Sequence, residues 1–222
     1  TPTEGAFSVN KIAFSERGFG LALFHHEKVA TTNQAVLVYQ NATWGSPQQV
    51  PFQYSLHIIR EPGGEVEHRE YLHKENTNPA PDLAKQLVED MGDSGSIITW
   101  NMRFEKSVNE ELGRMYPEYA EQIKAINERV VDLMIPFKAK WYDDPRCEGS
   151  ASIKKVLPVV CPELTYKDLG IQDGNSAQRL WMEAVLDETR ADQKEQILAD
   201  LAEYCKMDTW AMVRIWQELL KI

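Results

Sequence analysis

Phe52–Arg60 reads FQYSLHIIR, Glu61–Gly64 reads EPGG, and Val66–His73 reads VEHREYLH. In the first run Phe52, Tyr54, Leu56 and Ile58 alternate with Gln53, Ser55 and His57. That period of two marks a strand with one face buried. The Pro-Gly-Gly turn follows, and the second run alternates again with fewer apolar residues, as expected nearer a sheet edge. The two runs therefore predict a β-hairpin. Upstream, Gly20–Val29 opens as a strand pattern, Ala35–Tyr39 (AVLVY) is a second short apolar run, and Asn41–Gln49 reads as a loop through Gly45, Ser46 and Pro47. Residues 1–19 carry few signals and read as an N-terminal extension.

Downstream, Pro81 is a good first helical residue. Leu83, Ala84, Leu87, Val88 and Met91 follow at helical spacing until Gly92–Gly95 ends the helix. Ser96–Trp100 (SIITW) is short and rich in Ile, Thr and Trp, which favours a buried strand. A helix is expected from Phe104 to Met115 and another from Pro117 to Leu133, divided by the proline. Residues 136–152 look irregular, and Ser152–Val160 predicts a short helix or turn. Residues 176–186 and 189–222 read as helical, the second with a break near Lys206–Asp208. Strand, hairpin, helix, strand and then helices predict a single α/β domain over residues 1–222, with a mixed sheet flanked by helices.

Composition narrows the functional classes. The chain has 222 residues, 43% of them apolar and 26% charged, which supports a buried core. No apolar run approaches the ~18 residues of a membrane span. Thr1–Asn10 shows no basic segment leading into an apolar one, and three dispersed cysteines suit a reducing cytoplasm. Against 24 Lys and Arg stand 34 Asp and Glu, a net charge of −10. Any contact with nucleic acid must then come from a local basic patch. Arg146, Lys154 and Lys155, near Lys138 and Lys140, are the candidates. Trp141 and Tyr142 among them either stack on a base or pin the loop to the core.

Two motifs carry chemistry. Tyr204 and Asp208 stand four residues apart on a predicted helix and share one face. There a carboxylate can hold a metal ion while a phenol orients the attacking water. Trp100-Asn-Met-Arg-Phe-Glu105 lies at the exit of the SIITW strand, where open α/β sheets place their sites. Each residue also has a plain structural role available: Asn101 as a helix cap, Glu105 as an acid in a first turn, and Tyr204 and Cys205 in a core stripe with Ile197 and Leu201. Asp132 reads either as a further carboxylate for that chemistry or, the better reading, as a hydrogen-bonding anchor for the loop after it.

Taken together, N-x-x-F-E after a strand and YxxxD in a late helix resemble the DEDD-type 3′–5′ exonucleases of the ribonuclease H-like fold, in their tyrosine variant. PFQYSLH (51–57), ITWNMRFEKSV (98–108), GSASIKKVLPVV (149–160) and YCKMDTWAMV (204–213) are similar to a bacterial domain-of-unknown-function family often fused to Cas4-like nuclease modules. The resemblance runs from about Phe19 to the C-terminus. It implies a ribonuclease H-like sheet, Mg2+ or Mn2+ held by Glu105 and Asp208, and Tyr204 as the residue that orients water. It also implies single-stranded DNA or RNA as substrate, with a nuclease domain or another protein as partner. Two-metal hydrolysis needs clustered carboxylates, since two dications sit ~4 Å apart. The family's Asp-x-Glu motif falls, by spacing from PFQYSLH, on Lys28-Val29-Ala30, so Lys28 and Ala30 replace both acids. Glu27, beside His25 and His26, is the nearest acid. Two expectations stand: an active nuclease using Glu27 or another acid, or an inactive nuclease-like domain that binds nucleic acid or protein. In the second, the Lys28 ammonium would pair with Glu105 and Asp208.

Overall fold

The structure is a computed structural model that describes residues 34–43, 49–61 and 63–221, with side chains described from Val50 onward. The N-terminal extension, the Gly20–Val29 strand, and Glu27, Lys28 and Ala30 lie outside the described residues. The described strands are β1 (Gln34–Thr43), β2 (Gln49–Ile59), β3 (Val66–Leu72), β4 (Ser96–Thr99) and β5 (Val130–Asp132). They form one sheet in the order β3-β2-β1-β4-β5. β1 pairs antiparallel with β2 and β2 antiparallel with β3, while β4 lies parallel to both β1 and β5. Only β2 runs against the rest.

The hairpin of β2 and β3 is as expected, and β1 joins it over a longer stretch than AVLVY suggests. The loop expected at Asn41–Gln49 is shorter, because pairing continues from Asn41↔Pro51 to Thr43↔Gln49. The register shifts between Gln40↔Gln53 and Asn41↔Pro51, which leaves Phe52 as an extra residue. That bulge reverses its face. Tyr54, Leu56 and Ile58 enter one core with Leu83, Leu87 and Ile97; Phe52 enters the other and stacks on Trp181 at 4.4 Å. The single-face reading of Phe52 with Tyr54, Leu56 and Ile58 is corrected in that respect.

Helices cover both faces. α1 (Ala80–Met91), α2 (Met102–Met115) and α3 (Ala120–Glu128) pack on the Tyr54–Leu56–Ile58 side. α4 (Ile153–Val160), α5 (Gly174–Trp181) and α6 (Lys194–Leu219) pack on the other. Both faces of β2 are therefore buried. Its polar row survives because α6 supplies partners: Gln53 Nε2 donates to the Leu201 carbonyl at 2.9 Å, and Ser55 and His57 each meet Thr209 Oγ1 at 2.8 Å. The architecture is a mixed α/β sandwich of helices around a sheet. Among the described residues no helix is long and apolar enough to cross a membrane.

Two other expectations need correction. The helix expected from Pro117 to Leu133 is a one-turn segment, then α3, then β5, whose Val130 and Val131 pair with Ile97 and Ile98. Two adjacent β-branched residues can complete a buried strand edge, and three residues are too few to show a period. The break expected near Lys206–Asp208 does not occur; α6 is continuous across it. Residues 182–186 continue α5 as a π-helical turn.

Candidate carboxylate site

Glu105 lies in the first turn of α2, just past the carboxyl end of β4, and is buried at 5% exposure. Asn101 occupies the position before that helix but makes no side-chain cap. Asp132, at the end of β5, does the anchoring instead. Its carboxylate accepts from the Met102 amide at 3.3 Å and from the Met134 amide at 3.0 Å, which fixes both the start of α2 and the turn after β5.

Tyr204 and Asp208 stand one turn apart on α6, at 4% and 8% exposure. Burial pushes the Asp208 carboxyl up to about 6. The Tyr166 hydroxyl, the Lys154 charge and the Tyr204 hydroxyl each pull it back toward the ionised form. Burial, together with the charge of Asp208, raises both phenols well above the ordinary tyrosine range. Cys205 is fully buried beside them, and its thiol is raised by burial first and then by the charges of Asp208, Glu70 and Glu105. It is a core residue, as its place in the apolar stripe implies.

The predicted basic cluster divides. Lys154 Nζ lies 5.7 Å from the Tyr166 ring centroid and 5.6 Å from that of Tyr204, and it donates to the Gln172 carbonyl. It belongs to the carboxylate site. Lys155 and Arg146 stay on the surface, paired with Glu148 at 2.6 Å and Asp144 at 2.7 Å. Trp141 and Tyr142 pack against the core, Tyr142 at 5.3 Å from Phe137, so they pin the loop. The pairing expected of Lys28 with Glu105 and Asp208 lies outside the described residues.

Tyr166, Gln172 and Asp173 were not among the sequence candidates. They sit in LTYKDLGIQDG, which has no period to flag it. Their only signal is spatial.

The donor set can be tested against a pair of divalent cations. Among the described residues, no group of three His, Cys, Asp or Glu side chains is arranged to hold a metal ion. β1, the strand beside β4, contains neither Asp nor Glu in QAVLVYQNAT. Glu105 and Asp208 by themselves do not fit a two-cation centre. The fold and site define a mixed α/β domain with a buried carboxylate, two tyrosines and a lysine at the edge of its second core.

Residues 31–152, more than half of the chain, match the model described as Domain of unknown function (DUF2779), and the chain belongs to that family. The "Uncharacterized protein MG366" of Mycoplasma genitalium is 25% identical over 255 aligned residues, covering 96% of this chain and 38% of that protein. The "Uncharacterized protein MG366 homolog" of Mycoplasma pneumoniae is 30% identical over 140 residues, covering 58% of this chain and 21% of that protein. The chain thus spans well under half the length of these curated relatives.

Proposed function

We propose that this chain is a ribonuclease H-like domain of 3′–5′ exonuclease descent that binds single-stranded DNA or RNA without cleaving it. The strand order β3-β2-β1-β4-β5, with β2 alone reversed, supports the ribonuclease H-like reading. So does the placement of Glu105 after β4 and of Tyr204 with Asp208 on the last helix. What carries the loss of catalysis is the first acidic motif: by spacing from PFQYSLH it falls on Lys28-Val29-Ala30, which offers no acid, and the described strand Gln34–Thr43 adds none. With the metals removed, both the nucleophile and the charge stabilisation of hydrolysis are lost. Hydrolysis would then fall to another domain of a longer polypeptide, such as a Cas4-like module, in the cytoplasm.

Lys155 and Arg146 are the surface cations for the strand's phosphates, and Glu148 and Asp144 hold them until phosphate replaces those partners. Fluorescence anisotropy with a labelled single-stranded oligonucleotide tests this. Binding should weaken with salt, and replacing Lys155 and Arg146 together with Ala should reduce the salt slope by about 2. Absence of binding at low salt would overturn the proposal. The second reading is an active Mg2+- or Mn2+-dependent exonuclease, favoured by the contact of Tyr204 with Asp208. It would declare itself as Mn2+-dependent shortening of the oligonucleotide that Asp208→Asn abolishes.

A further inference from the structure

We propose that Lys154 is the resident cation of the Asp208 site. Its ammonium, seated on the rings of Tyr166 and Tyr204, supplies from within the chain the positive charge that the buried carboxylate requires. Lys154 acts on Asp208 as a positioning residue. The inference deepens the reading of a site that works without a catalytic metal, and its test is independent of the oligonucleotide experiments.

A buried carboxylate needs a counter-charge or a full set of donors. Asp208 faces Tyr204 and Tyr166, whose buried hydroxyl makes no hydrogen bond among the described residues, and it feels the charge of Lys154. The ammonium is held by four features at once. Two ring faces lie at 5.6 and 5.7 Å, within the range of cation–π attraction. The Gln172 carbonyl accepts its hydrogen bond. Asp173, the next residue, also feels its charge, while its carboxylate caps α5 by accepting from the Ser176 amide at 3.0 Å. The Tyr166 and Tyr204 rings meet edge to face at 6.3 Å, so one ammonium can touch both. The adjacent Lys155 turns outward to Glu148. Neighbouring lysines of one motif therefore have separate roles. The lysine that balances Asp208 within the described residues comes from α4.

A double-mutant cycle tests the assignment by thermal unfolding at pH 7.5. Lys154→Met should lower the melting temperature by about 4–8 °C, because Asp208 keeps its charge without a balancing cation. Asp208→Asn in the same chain should recover at least half of that loss, since the charge needing balance is gone. Lys155→Met should leave the melting temperature unchanged. A purely structural role for the lysine stem would leave the effects of the two substitutions simply additive, and that result would overturn the proposal. If Lys154→Met does not fold, the wild-type protein supplies the answer by nuclear magnetic resonance. The ε-methylene protons of Lys154 should be shifted upfield by the two rings, and a random-coil position for them would overturn it equally.

Discussion

Replacing Asp208 with Asn should change how stability depends on pH, and both sign and size follow from the site. Asp208 has an ordinary value of 3.8, and burial raises it to about 6 in the fold. A carboxyl with a raised value favours the folded state fully only while both states are protonated, below about pH 4. As pH rises through 6 the unfolded chain has already released its proton, and the folded chain must ionise a buried group. The contribution is lost over that window and stays lost above it. The shift of about two units corresponds to about 3 kcal/mol. Asn has nearly the same shape and does not titrate. The stability of Asp208→Asn minus that of wild type should therefore grow by about 3 kcal/mol between pH 4 and pH 7.5. Other titrating groups, His57 among them, act in both proteins and cancel. Urea unfolding followed by circular dichroism at four pH values measures the difference. Parallel profiles for the two proteins would refute the claim that Asp208 titrates in a buried, only partly balanced site.

Other substitutions probe the scaffold. Burial, aided by the charges of His68 and Lys206, holds His57 down to about 3, so the fold loses stability as pH falls from 6.5 toward 3. His57→Gln should flatten that acid limb in the same urea series; an unchanged limb would place the effect elsewhere. Trp181 is fully buried, stacks on Phe52 and donates from Nε1 to the His73 carbonyl at 2.8 Å. Trp181→Ala should cost about 3–5 kcal/mol in chemical denaturation, and a loss below about 1 kcal/mol would mean that α5 does not pack there. Asp132→Ala removes the acceptor for two backbone amides and should cost about 1–2 kcal/mol. Hydrogen exchange should rise at Met102 and Met134, and unchanged protection would contradict the anchoring role.

Much of this architecture is legible because local chemistry and tertiary structure agree. The alternation in FQYSLHIIR makes a strand whose apolar face stays apolar, and Tyr204 and Asp208 share a face because one helix carries both. Legibility fails where a partner decides. Phe52 changes face because β1 pairs around it with one residue fewer. Gln53, Ser55 and His57 look like a solvent face, yet α6 covers them and satisfies their polar atoms. Val130–Asp132 is too short to show a period and becomes a strand by pairing with β4. Lys154 and Lys155 look equivalent in sequence. Only the return of the chain through Tyr166 and Gln172 separates the site lysine from the surface one.

The central claim, a nuclease-like fold whose retained acids hold no catalytic metal, is tested most directly by calorimetric titration of wild-type protein and Asp208→Asn with Mn2+. The account predicts no Mn2+ heat that depends on Asp208, even at millimolar metal. Micromolar binding in the wild type that Asp208→Asn removes would contradict it and restore the reading as a metal-dependent exonuclease.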